Sequence, residues 1–151
     1  MRSEFDTDPN SKAMLDLQSV IGEIEVRRGR LDLAKTLTRK LRDSSLANLP
    51  ANTASLPDRY GQLANVELRL GEYQKAKTHF EEAVRLETER AGQKSRAMIY
   101  GRLGLAEVLL HLGDKSAARE QLALVKLAVD TLAPGHSQRK RYAELEKSAG
   151  E

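Results

Sequence analysis

The sequence predicts an all-α protein, a stack of three helix–turn–helix repeats followed by one more helix. Three observations carry that expectation. The 151-residue chain repeats at a period of 42: Gly29, Gly71 and Gly113 stand 42 apart, and so do the breakers Pro50, Gly92 and Pro134. Apolar residues recur three to four apart on both sides of each glycine, the spacing of one helical face. Aromatic residues make up only 4% of the chain and tryptophan is absent, so the core is aliphatic, which suits helices better than a β-sandwich.

Taken in order, residues 1–7 read as a cloning-junction remnant or a disordered tail, and Asp8-Pro9 as a helix start, with proline at the first helical position. Repeat one covers residues 8–50, repeat two 51–92 and repeat three 93–134. In each, the first helix ends at the glycine, which takes up the left-handed conformation without a Cβ penalty. Ile21, Leu63 and Leu105 align before it, as do Ile24, Val66 and Val108. Beside the first set stand small residues, Gly22, Ala64 and Ala106, and five after the glycine stand Ala34, Ala76 and Ala118. Small side chains at both places let the two helices of a pair cross closely. Pro57 aligns with Leu15 and Ile99, inside a helix, where proline would break a backbone bond. The first helix of repeat two is therefore expected to begin near Leu56, with Ser55-Leu56-Pro57-Asp58 as a capping-box-like start and Asn48–Ala54 as a longer loop. Residues 135–151 are expected to hold a last helix, about Gln138 to Lys147, capped by Ser137 and carrying Tyr142 and Leu145. It is either a solvating cap or the first helix of a truncated fourth repeat.

Sequence chemistry is sparse. With no cysteine there is no disulfide, thiol nucleophile or thiolate metal site. His79, His111 and His136 have no metal-ligand spacing, and no phosphate loop or nucleophile elbow occurs. Gly101-Arg102-Leu103-Gly104 falls inside a helix, where its glycines serve packing rather than a nucleic-acid clamp. No catalytic residue, cofactor site or metal site is assigned, and the chain is read as a non-enzyme. Net charge is +3, mildly basic. Basic clusters lie at Arg27-Arg28-Arg30, along Lys35–Arg42 and at Arg139-Lys140-Arg141, with no interleaved aromatic residues, which disfavours a nucleic-acid partner. No apolar run approaches the roughly 20 residues of a membrane span, and no signal-peptide core is visible, so a cytoplasmic protein without a membrane partner is expected.

The stretches 21–34 (IGEIEVRRGRLDLA), 63–83 (LANVELRLGEYQKAKTHFEEA) and 105–125 (LAEVLLHLGDKSAAREQLALV) resemble the tetratricopeptide repeat, the middle one most closely. Thr38 stands where the middle copy has Phe80, and Lys115 where it has Tyr73. The 42-residue period is similar to the longer-helix variant of kinesin light chains and of regulatory modules in some large bacterial activators. The resemblance implies a right-handed α-solenoid in which the first helix of each repeat lines a concave groove. On that alignment the groove positions are Asp16, Ser19, Glu23 and Arg27; Asp58, Gln62, Asn65 and Arg69; Tyr100, Leu103, Glu107 and His111. A carboxylate clamp of the kind some family members use is incomplete: Asn65 resembles a clamp residue, but Ser19, Tyr100 and Gly104 stand where its lysine and arginine are expected.

Val26, Leu68 and Leu110 repeat on a second side of the first helices, either because these helices are sandwiched or because they floor an apolar groove. The resulting expectation is a non-catalytic scaffold that binds a protein or peptide, as part of a larger bacterial protein. A ligand-sensing domain of a bacterial regulator or signalling protein is the alternative, and a nucleic-acid binder is less favoured.

Overall fold

The computed structural model describes residues 8–92, 95 and 97–151. Residues 1–7, read above as a remnant or tail, lie outside the described residues. Seven helices and no strand occur among those described: α1 (Lys12–Arg27), α2 (Leu31–Asn48), α3 (Ser55–Arg69), α4 (Tyr73–Ala91), α5 (Ala97–His111), α6 (Lys115–Asp130) and α7 (Ser137–Gly150). Each helix packs on the next, and α1 touches α3, α3 touches α5 and α5 touches α7. The odd-numbered helices therefore line one side of an all-α solenoid.

The three intra-repeat turns are copies of one another. Gly29, Gly71 and Gly113 have φ of 75°, 78° and 82°, where a side chain would be strained. Around them run the two bonds of a Schellman turn. Arg30 N–H donates to Glu25 O, Glu72 N–H to Glu67 O and Asp114 N–H to Leu109 O, while the glycine N–H groups reach Val26, Leu68 and Leu110. Immediately beyond, Ala34, Ala76 and Ala118 are fully buried at the crossing of each pair. A single apolar cluster continues through α3, α4, α5, α6 and α7, from Ala64 and Phe80 to Tyr142 and Ala149.

The helix starts depart from the sequence reading in three places. Asp8-Pro9 forms a turn, with Ser11 N–H bonded to Asp8 O, and α1 begins after Ser11, whose hydroxyl accepts from Met14 N–H. Ser55 is not a cap. It is already helical, and its N–H donates to Thr53 Oγ1, so the expected capping box does not form. Pro57 falls in the first turn, where its missing N–H removes no helical bond. The last helix is capped by His136, whose Nδ1 accepts from Gln138 N–H, rather than by Ser137, and it runs on to Gly150. At α1 and α7 the cap belongs to the residue whose backbone is extended just before the helix, whereas α3 follows the already helical Ala54 with no side-chain cap.

Candidate functional site

The side lined by α1, α3, α5 and α7 carries two adjoining cavities. One, of about 260 Å³, lies between α1 and α3, bordered by Glu23, Val26, Arg27, Asn65, Val66 and Arg69. The other, of about 590 Å³, is bounded by Asn65, Leu68, Arg69, Tyr73, Glu107 and His111, with Arg141 and Glu144 contributed by α7. Asn65, Arg69 and Tyr100 belong to both, so the two form one groove with the first helix of repeat two at its centre.

Each position owes its place to the repeat. Arg27 and Arg69 occupy the last turn of α1 and α3, the end that favours a cation. Both are exposed, and neither forms an ion pair among the described residues. His111 stacks on Tyr73, ring centroids 4.5 Å apart and planes at 7°. Tyr100 lies over Gly61, close enough that a Cβ there would be in ordinary contact with the ring at 3.6 Å. Arg141 ion-pairs with Glu107 at 2.6 Å and sits 6.0 Å from the Tyr100 ring centroid, which closes the far wall. Of the second apolar series, Val26 borders the first cavity and Leu68 the second, so these residues floor the groove as well as pack.

Two expected groove residues are not available to a partner. Leu103 is fully buried in the common core, because α5 is packed between its neighbours on nearly every side. Ser19 is buried, its Oγ accepting from Gln62 Nε2 at 2.6 Å. Both are corrections to the surface placement. Gln62 borders the first cavity as expected, but it is largely buried, its Nε2 donating to Ser19 and, at 2.9 Å, to Glu23. Glu23, Arg27, Asn65, Arg69, Tyr100, Glu107 and His111 do line the groove. Arg141, Gln138 and Glu144 are groove residues that the sequence reading does not assign, because it leaves the last helix open between a cap and a truncated repeat; the Arg139–Arg141 cluster is their only signal.

Asp58 and Asp16 belong instead to a third cavity of about 310 Å³ beside α3, α4 and α5, with Pro57, Ala83, Val84 and Met98 on its walls. Arg59, buried on α3, bridges the two acids, at 2.7 Å to Asp16 and 3.4 Å to Asp58. Hydrogen bonds from Lys12, and then from Arg59, hold the Asp16 carboxyl below its usual range against desolvation. Desolvation pushes Asp58 up, with repulsion from Glu23 and Asp16 adding to it, although 61% of its side chain stays exposed. The Tyr100 hydroxyl is also pushed up by desolvation, and the nearby Arg141 opposes the shift. Among the described residues no group of three or more His, Cys, Asp or Glu is placed to hold a metal.

The basic clusters are largely committed. Lys35 is paired with Glu72 at 2.6 Å, Arg42 with Asp43 at 2.8 Å, and Arg139 donates to Leu132 O. No helix among the described residues is long and apolar enough to cross a membrane.

Residues 57–90, nearly all of α3 and α4, match the family model of the tetratricopeptide repeat. No curated protein matches the chain. Among solved structures, a kinesin-light-chain-type protein of Podosopora anserina with nearly identical tetratricopeptide-like repeats superposes with a TM-score of 0.72 at 18% identity, over 97% of this chain and 71% of that one. A second form of that protein gives 0.75 at 18% identity, over 95% and 70%. BtubC (BKLC) of P. vanneervenii gives 0.78 at 17% identity, over 97% of this chain, which spans 60% of its length. The chain thus carries a tetratricopeptide repeat in its centre and has the fold of a tetratricopeptide-repeat array.

Proposed function

We propose that this tetratricopeptide-type array is a non-catalytic scaffold module that holds a segment of a protein partner along the groove of α1, α3, α5 and α7. One observation carries the reading. Two exposed arginines without ion pairs among the described residues, Arg27 and Arg69, flank the Asn65 amide over an apolar floor of Val26, Val66 and Leu68, with the Tyr100 ring alongside. Arginine forks and an amide suit the carbonyl and carboxylate oxygens of a polypeptide, and the aromatic ring suits an apolar side chain between them. The module works in the cytoplasm as part of a larger, bacterial protein.

The test is a pull-down from native lysate with two variants in parallel. Arg69→Glu with Asn65→Ala should abolish capture while helicity by circular dichroism stays unchanged, since exposed substitutions move stability by about ±0.5 kcal/mol. Arg39→Glu with Lys40→Glu, on the outer side of α2, should leave capture intact. Loss in the second variant and retention in the first would refute the groove.

A second reading, a ligand-sensing module, is favoured by the cavity of about 310 Å³ beside α3, α4 and α5. Its size is that of a small-molecule site. Saturable binding of a small compound blocked by Met98→Trp would favour it over the groove.

A further inference from the structure

In repeats two and three, one face of the first helix is sealed by the preceding repeat. In α5 that face is Gly101, Gly104, Leu105 and Val108, all buried, with Val84 of α4 against Gly101 and Phe80 against Gly104. In α3 it is Arg59, Gln62, Leu63 and Val66, also buried, with Arg59 and Gln62 bonded to Asp16, Ser19 and Glu23 of α1. At the same register α1 presents Leu17, Val20, Ile21 and Ile24, which are 52%, 52%, 41% and 39% exposed. Their i, i+3, i+4, i+7 spacing makes one continuous apolar stripe. This stripe lies outside the groove. The molecule itself shows on α5 what covers such a face: α4, the second helix of the preceding repeat.

We propose that the α1 stripe is the docking site for an amphipathic helix of a partner polypeptide, seated on α1 as α4 sits on α5. The register fixes the chemistry of that helix. Phe80 fits over position 104 only because glycine is there: a Cβ would lie 2.9 Å from Cδ1 and closer still to Cε1 and Cζ. Val20 stands at the equivalent position of α1, so the partner helix carries a small residue at the crossing, as α2 carries Thr38. Antiparallel docking brings its N-terminus to Arg27 and Arg28, so acidic residues in its first turn satisfy both the arginines and the helix dipole.

A second copy of the chain fits less well. A two-fold pairing of α1 with itself would set Lys12 beside the other copy's Arg27 and Arg28 at both ends. Pairing with α7 of another copy is disfavoured too, because that helix turns Lys140, Glu144, Glu146 and Lys147 to solvent.

The probe is a labelled synthetic peptide with the sequence of residues 31–48, whose stripe of Ala34, Thr38, Leu41 and Ser45 is buried in the intact array. Fluorescence anisotropy with the full chain should show saturable binding, weakened at least about tenfold by Ile21→Glu in the chain and likewise by Thr38→Phe in the peptide, the loss a buried charge or a clash at an interface produces. Leu17→Lys serves as the independent variant if circular dichroism shows that Ile21→Glu disturbs the fold. Absence of saturable binding, or binding indifferent to both chain variants, overturns the proposal. A concentration-dependent dimer in sedimentation equilibrium that Leu17→Lys dissolves also overturns it, by assigning the stripe to a second copy.

Discussion

Gly104 and Gly22 occupy superficially similar places, each a buried glycine in the first helix of a repeat, yet the same substitution should move stability in opposite directions. A Cβ on Gly104 would enter the ring of Phe80, a buried side chain locked in the common core. A Cβ on Gly22 would meet only Thr38 Cγ2, at 3.4 Å, ordinary contact. Replacing glycine by alanine inside a helix contributes about 0.5–1 kcal/mol by itself. Overpacking against a rigid neighbour costs about 1–3 kcal/mol. Gly104→Ala should therefore destabilise by about 1–2 kcal/mol, a fall of about 2–8 °C in Tm for a chain of this length, and Gly22→Ala should stabilise by about 0.5–1 kcal/mol. Urea and thermal unfolding followed by circular dichroism measure both. Phe80→Leu in the Gly104→Ala background should recover part of the loss, with a coupling of about 0.5 kcal/mol or more. A neutral Gly104→Ala, or equal losses at both glycines, would refute the argument that close helix approach selects glycine at 104.

Ala76→Leu, at the fully buried crossing of α3 and α4, should destabilise by about 1–3 kcal/mol in urea unfolding. Asp16→Asn removes the shorter carboxylate partner of buried Arg59 and should destabilise by about 1–3 kcal/mol at neutral pH. Because the Asp16 carboxyl is held below the ordinary aspartate value of about 3.9, its contribution is present above that pH and fades as pH falls through the lower folded value. The variant should therefore lose less stability than the parent on acidification below about pH 4, as an acid titration of ellipticity would show. Elemental analysis should find no stoichiometric metal in the purified chain.

The architecture was legible because it rests on local rules that repeat. A glycine able to adopt positive φ, an alanine five residues later and apolar residues three to four apart each recur at a constant offset, and the Schellman turns follow from them. Helix caps were less legible. Ser55 and Ser137 have the right hydroxyl, but both are already inside their helices: α7 is capped by the extended His136 before it, and α3 follows the helical Ala54 with no side-chain cap. The groove was half legible. Helical spacing places a residue on a face but does not say whether a neighbour has already covered that face. Leu103 is lost to the core because α5 is enclosed by other helices, whereas Ile21 and Ile24, which align with buried Leu63, Val66, Leu105 and Val108, are left open on α1. Arg141 was invisible as a groove residue because an unpaired last helix gives no repeat register to read.

The charge of the groove shows the same limit most directly, and it leads to a measurable consequence. By sequence its signs are mixed, with Asp16, Glu23, Asp58 and Glu107 against Arg27, Arg69 and His111. In the structure Glu107 is taken up by Arg141, Glu23 accepts from Gln62, and Asp58 faces Arg59 in the neighbouring cavity. Arg27 and Arg69 have no ion pair among the described residues, so they are the cations left for a partner's carboxylates, beside the exposed carboxylates of Glu23 and Glu144. A partner held in the groove should then be released by raising salt from about 50 mM to 500 mM, because exposed arginines are screened over a Debye length of about 10 Å at 0.1 M. The release should follow the two arginines: with Arg27→Gln and Arg69→Gln together, residual binding should be weak and nearly independent of salt. Binding by the double variant that keeps the parent's salt dependence would show that the committed residues, not the uncommitted ones, set the electrostatics of the groove.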